Sequence, residues 1–212
     1  MIGVWSDNTN FTWIKYKRMG RRKLGTGQGN RLYFVVEGLT PMLMHNAATM
    51  KIPGLHRPSI PTPEEEAAES RYLLSDGNFG IPAIAVRTSI LNGAKGLRSG
   101  RSPLKPILSG AITTEDEWFP LLRNGKPIIG SDYTIDTRRV VIQRQGVLRS
   151  RPKIELPWEI GCVFGFNPAV IPDLEVIRVV LQKAGIMAGL LDYRPERGGW
   201  FGKYTPGKIW VE

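Results

Sequence analysis

With its insertions set aside, the chain reads strand (32–38), helix (82–98), strand (107–113), strand (159–166), helix (172–185), strand (201–211). This β-α-β-β-α-β order predicts an α+β fold of the ferredoxin-like (RRM-like) type. Two further observations carry the prediction. Two segments repeat apolar residues at helical spacing, each opened by a proline and closed near a glycine. The segments between them include β-branched and aromatic runs that stop at glycine or proline. The 212 residues, 42% of them hydrophobic, suffice for one domain over 31–212. Insertions are expected at about 46–80 and 114–157, with a basic flexible arm over 1–30.

The arm carries Lys15, Lys17, Arg18, Arg21, Arg22 and Lys23 against Asp7 alone, with Trp5, Phe11, Trp13 and Tyr16 between them. It closes in Gly25-Thr26-Gly27-Gln28-Gly29, a flexible run. Aromatic rings among cations point to an arm that docks on bases or on a neighbouring subunit.

Leu32–Gly38 is the first strand, and Pro41–His45 continues it as an apolar run. A Pro-rich loop spans 53–63. Thr62-Pro63-Glu64-Glu65 opens a short helix, with Thr62 as cap, Pro63 at the first position and Glu65 completing a capping box. Residues 72–81 read as a small hairpin around Asp76-Gly77. Ala83, Val86, Ile90, Ala94 and Leu97 form one helix face, with Arg87, Lys95 and Arg98 off it and Gly100 and Pro103 beyond its end. Ile107–Thr113 and Trp118–Leu122 read as strands. Tyr133–Val147 reads as a hairpin or extended finger holding Arg138, Arg139 and Arg144, with Arg149, Arg151 and Lys153 after it and only Asp136 and Glu155 in opposition. Glu159–Phe166 is a strand. The helix from Pro172 places Leu174, Ile177, Leu181 and Ala184 inward and ends at Gly185. Gly189–Tyr193 reads as extended, 194–199 as a Gly-rich basic loop, and 201–211 as a strand or a hairpin around Pro206-Gly207.

Lys and Arg number 29 against 19 acids, a formal net charge of +10. Like charge repels itself unless a partner neutralises it, and a polyanion is the commonest such partner. The competing readings are a solubilising surface and a solvated hairpin. The one cysteine, Cys162, lies in an apolar run and reads as a buried thiol; it cannot form an internal disulfide. The first twenty residues hold no continuous apolar stretch, and no window approaches the length of a membrane span, so a cytoplasmic protein is expected.

His45 and His56 stand eleven apart without a cysteine pair, so a zinc site is not predicted, and His45 reads as a packing or capping residue. Phosphate-loop and Gly-x-Ser-x-Gly motifs are missing. Asp132 and Asp136, the remaining metal candidates, read as ion-pair partners of nearby arginines. No catalytic residue, metal ligand or cofactor is predicted. The sharpest local signal is the loop where Arg194, Arg197 and Lys203 bracket Gly198, Gly199 and Gly202 beside Tyr193, Trp200 and Phe201. Glycines let backbone approach a phosphate, arginine offers forked donors, and Trp or Phe can stack on a base. The alternative is a tight turn packed under a tryptophan.

Three blocks of the sequence, Gly38-Leu39-Thr40-Pro41-Met42-Leu43-Met44-His45, Gly77-Asn78-Phe79-Gly80-Ile81-Pro82-Ala83 and Leu191 to Tyr204 (LDYRPERGGWFGKY), resemble a family of small phage-encoded proteins. The element order and the position of the Gly-rich loop are distantly similar to the RAMP superfamily, which includes the backbone subunits of CRISPR effector complexes. That resemblance implies a modified ferredoxin-like fold with inserted fingers, polymerising along single-stranded RNA; it places no catalytic residue. The expectation is therefore a phage-related protein of the bacterial cytoplasm that binds single-stranded RNA or DNA as a repeating subunit. Homo-oligomers would form through the arm. The strand would be held by Arg18, Arg21, Arg22, Lys23, Lys95, Arg98 and Arg101, by Arg138, Arg139, Arg144 and Arg149 of the finger, and by Arg194, Arg197, Trp200, Phe201 and Lys203 of the loop. The alternatives are a virion structural protein with a clasping arm and a RAMP-type nuclease.

Overall fold

The computed structural model describes residues 30–46, 61–142 and 144–212. The predicted arm, with Arg18, Arg21, Arg22 and Lys23, lies outside the described residues, as does most of the Pro-rich loop. The strands are β1 (Asn30–Gly38), β2 (Met42–Leu43), β3 (Gly80–Pro82), β4 (Arg98–Ser99), β5 (Ser102–Pro103), β6 (Ile112–Thr114), β7 (Trp118–Arg123), β8 (Lys126–Pro127), β9 (Thr134–Ile142), β10 (Gln145–Ile154), β11 (Glu159–Phe166) and β12 (Tyr204–Val211). The helices are α1 (Pro63–Glu69), α2 (Ala83–Gly93), α3 (Leu104–Ala111) and α4 (Leu174–Lys183).

The chain forms a mixed α+β fold built on antiparallel sheet. The main sheet runs β12-β1-β11-β7-β3, with β6 also pairing with β11 and β8 with β7. Every pairing in it is antiparallel. Period-two alternation explains which face is buried. Leu32, Phe34 and Val36 of β1 and Ile160, Cys162, Phe164 and Phe166 of β11 share one core. Val86 and Ile90 of α2, Leu108 of α3 and Ile177 and Leu181 of α4 fill the same core. Phe34 stacks on Phe164 at 5.7 Å between centroids. On the opposite face Tyr33 stacks on Trp210 at 5.1 Å. Cys162 is fully buried and is in no disulfide, and its thiol lies 3.9 Å from the Ile160 carbonyl oxygen.

The capping box at α1 forms as expected: the Glu65 amide donates to Thr62 Oγ1, and the Thr62 amide donates to Glu65 Oε2. The 72–81 segment closes as a narrow antiparallel turn through Leu73 and Phe79. Several expectations are corrected. Residues 104–111, expected to begin a strand at Ile107, form helix α3, and extended backbone starts only at Ile112. Leu104, Leu108 and Ala111 recur on one buried face at helical spacing, which outweighs the β-propensity of Ile107. Pro106 sits in the first turn, where its missing N–H would have no helical partner anyway. Strands β7 and β8, inside the expected insertion 114–157, belong to the main sheet. Helix α2 stops at Gly93, five residues short of the expected end at 98.

Gly185 does not end the last helix. Residues Ala184–Ala188 continue α4 as one π-helical turn, and Gly189, at φ 69°, ends it. Gly185 is needed for close approach, because a Cβ there would stand 1.9 Å from the carbonyl oxygen of Tyr204. Gly185→Ala is therefore expected to cost about 1–3 kcal/mol by overpacking, measured by urea denaturation. Residues 189–193 are not extended: Leu191 and Tyr193 adopt left-handed φ values of 59° and 46°. Pairing across the chain imposes this turn. Asp192 N donates to Leu43 O, Leu190 N to Gly202 O and Gly202 N to Pro41 O. Residues 204–211 form one strand, not a hairpin, with an irregularity in its pairing with β1 near Pro206. An edge strand tolerates that proline because one side of its ladder is free.

The finger is the hairpin β9–β10, joined by a turn at Arg144 with φ 67°, and its second strand runs on to Ile154. Cross-strand register puts Asp136, Arg138 and Val140 on one face with Val147, Arg149 and Arg151. Ile135, Thr137, Arg139 and Val141 occupy the other face with Gly146, Leu148 and Ser150. Thr137 and Ser150 hydroxyls meet there at 2.9 Å. β10 also pairs with β2, which ties the finger root to the chain that leaves β1.

Candidate nucleic-acid interface

The finger root, the chain after β2, helix α1 and the Gly-rich loop converge on one junction, and charge holds each piece. Glu66 of α1 accepts from Arg149 Nη1 and from the Ser150 amide, both at 2.8 Å. Arg138 grips Asp136 with two bonds, Nε–Oδ1 at 2.6 Å and Nη2–Oδ2 at 2.9 Å. Hydrogen bonding to Asp136 is the main reason its pKa is raised. The same guanidinium lies 4.9 Å from the ring centroids of both Trp200 and Phe201 and 5.9 Å from Tyr193. This cation–π contact fastens the loop to the finger. Arg151, buried, stands 2.8 Å from Asp192 Oδ2. Its Nε–H is not aimed at the carboxylate, so the contact is an ion pair without an aligned hydrogen bond.

His45 is half-buried in this junction. Tyr72 Oη donates to its carbonyl at 2.9 Å, and its Nδ1 is buried without a hydrogen-bond partner. Burial lowers its pKa; Asp192 and Glu66 pull it up, while Arg151 and Arg149 push it further down. The folded pKa thus lies below the unfolded value, so the unfolded chain takes up the proton first as pH falls. The stability this contributes is complete above the unfolded pKa near 6.5 and is lost as pH drops from there toward the lower folded value. The urea midpoint should fall between pH 7.5 and 5.5 more in the wild type than in His45→Gln; equal falls would remove His45 from the account.

The predicted cations divide into two groups. Lys95 bonds to Glu196 Oε1 at 3.0 Å, and Arg194 reaches Glu196 Oε2 at 3.1 Å and Leu191 O at 2.8 Å. Arg98 donates to the Arg101 carbonyl. These three, with Arg138 and Arg149, are held within the chain. Arg101, Arg139, Arg144, Arg197 and Lys203 make no side-chain ion pair or hydrogen bond among the described residues, and the first four are exposed. Arg138 and Arg139 point to opposite faces of the finger, so one backbone lying along one face cannot meet both. Arg139 lies over Gly146, where a Cβ would fall 2.3 Å from its Nε.

The loop glycines serve the loop itself. A Cβ at Gly199 would lie 1.8 Å from Tyr193 O, and one at Gly202 2.1 Å from Leu190 O. Only Gly198, left-handed at φ 78°, faces open space. Phe201 is 4% exposed and packs beneath the platform, so a base cannot reach it. Trp200 is 48% exposed, and its ring is backed by Phe201 at 5.4 Å and Tyr193 at 5.2 Å.

Sequence reasoning missed the joining groups Glu66, Arg151 and Asp192. Asp192 does lie within the tail block singled out above, which was the available signal. Asp132 and Asp136 are ion-paired with Arg123 and Arg138, as expected. Among the described residues no three His, Cys, Asp or Glu side chains group as a metal site, and no helix is long and apolar enough to cross a membrane. The described residues hold 21 of the 29 cations and 18 of the 19 acids, so only +3 of the net +10 resides there. No family model matches the chain, and no curated protein matches it.

Proposed function

We propose that this protein binds single-stranded nucleic acid, with the half-exposed Trp200 as a stacking platform and unpaired cations around it as phosphate contacts. The observation that carries the reading is Trp200, backed by Phe201, Tyr193 and Arg138, with Arg197 and Lys203 in the same loop. A half-exposed ring held by its neighbours, with free cations in the same loop, suits sequence-tolerant single-strand binding. Arg101, exposed in the β4–β5 turn, is a further free cation available to phosphate. In this reading the core is ferredoxin-like. The order β12-β1-β11-β7, all antiparallel, with α2 and α4 on one face, supports that assignment. The protein is then a repeating subunit, phage-related, acting in the bacterial cytoplasm as the sequence resemblance implies, and its arm clasps the next copy once a strand is bound.

The rival, a virion structural protein, draws on one observation: most of the surplus positive charge lies in 1–29 and 47–60, outside the described residues. Absorbance of protein purified without nuclease separates the two. Co-purifying nucleic acid, with a high ratio of absorbance at 260 to 280 nm, supports strand binding. A protein-like ratio supports the structural reading.

A further inference from the structure

The finger has a second face that strand binding does not use. Val141 and Leu148 are 71% and 70% exposed there, flanked by the unpaired Arg139 and Arg144, with Ile135 further down the same face beyond Thr137 and Ser150. Two adjacent branched aliphatics so exposed on a hairpin ribbon are costly to leave in water. The opposite end of the main sheet carries a patch of reversed charge. Ile84, 60% exposed, opens α2 beside Trp118, 38% exposed; Ala83 N donates to Glu117 O, and Pro82 pairs with Trp118. Asp116 and Glu117 are exposed there, with no partner among the described residues.

From this match we propose that the finger's apolar face docks on the Ile84–Trp118 patch of a second copy, with Arg139 and Arg144 facing Asp116 and Glu117. One molecule cannot make the contact with itself. Arg123, at the far end of β7 from Trp118, holds the finger root through Pro157 O and Glu155 O. The six residues of β7 separate the two places by about 17 Å. Both surfaces stand exposed in the same chain, so neither covers the other. A nucleic acid is the wrong occupant for the patch, since Asp116 and Glu117 would repel it. Two different surfaces joined head to tail generate an open array unless the rotation closes. The inference deepens the repeating-subunit part of the proposed function and rests on it.

The test uses two full-length variants free of nucleic acid: a finger variant, Val141→Glu with Leu148→Glu, and a patch variant, Ile84→Lys with Glu117→Lys. In sedimentation velocity the wild type should associate progressively with concentration. Each variant alone should stay monomeric, its association constant lowered by about tenfold or more. Mixed together, they should form a dimer and stop, because one intact finger and one intact patch remain. That dimer also shows that both variants are folded. A wild type that stays monomeric, a finger variant that associates as the wild type does, or a mixture without dimer would each overturn the proposal. So would a charge-neutral finger variant, Val141→Ser with Leu148→Ser, that loses affinity for an oligonucleotide short enough for one copy, which would give this face to bases. A wild type that binds no oligonucleotide while the mixture still dimerises would refute the proposed function and keep the contact.

Discussion

Replacing Trp200 by alanine should weaken binding to a short single strand by about 1–3 kcal/mol, the usual worth of one base stacked on an aromatic ring. The size follows from how the ring is held. Phe201 and Tyr193 back it, and Arg138 lies 4.9 Å from its centroid, so little ordering remains to be done when a base arrives. Trp200→Phe should keep most of the affinity, because the platform needs a flat face and no hydrogen bond. Fluorescence anisotropy with a labelled oligonucleotide measures both. An alanine variant that binds as tightly as the wild type would reduce Trp200 to a packing residue over the loop.

The largest effect on stability is expected at Asp192. The Arg151 side chain is 9% exposed and Asp192 33%. Removing the carboxylate leaves a buried guanidinium without its countercharge. Breaking such pairs costs about 3–5 kcal/mol, and the low end applies because water reaches Asp192. Asp192 Oδ1 also accepts from the Tyr193 amide at 2.9 Å, which helps hold Tyr193 at its left-handed φ. Asp192→Ala should therefore lower stability by about 3 kcal/mol. Adding Arg151→Met should restore much of that loss, since no unpaired charge remains buried. A single variant as stable as the wild type in urea would mean that the finger root is not locked by charge.

Local pattern predicted what local physics decides. β1 and β11 are short apolar runs rich in β-branched and aromatic residues, and Thr62 with Glu65 signals a helix start within four residues. Helix α3 was obscured because Pro103, Pro106 and Ile107 each argue against a helix, and only the burial of Leu104, Leu108 and Ala111 in the shared core reverses them. The turn at 189–193 could not be read, because its shape comes from pairing with residues some 150 positions earlier in the chain. The site was half legible. Arg138 and Trp200 were each named from composition, but their contact spans 62 positions and follows from tertiary packing. The alternation that sets Arg138 and Arg139 on opposite faces was readable in principle once the hairpin register was known.

The central claim is that phosphate contacts made by free cations hold a single strand on this protein. Its most direct test is the salt dependence of affinity for a single-stranded oligonucleotide. A protein neutralising about six phosphates should show a slope near −4 in log affinity against log salt, at roughly −0.7 per phosphate. A slope of that order is expected between about 50 and 200 mM salt, its magnitude lowered by about 1.4 when Arg197 and Lys203 are both changed to alanine. Affinity that does not change over that range, or no measurable binding at its low end, would contradict it.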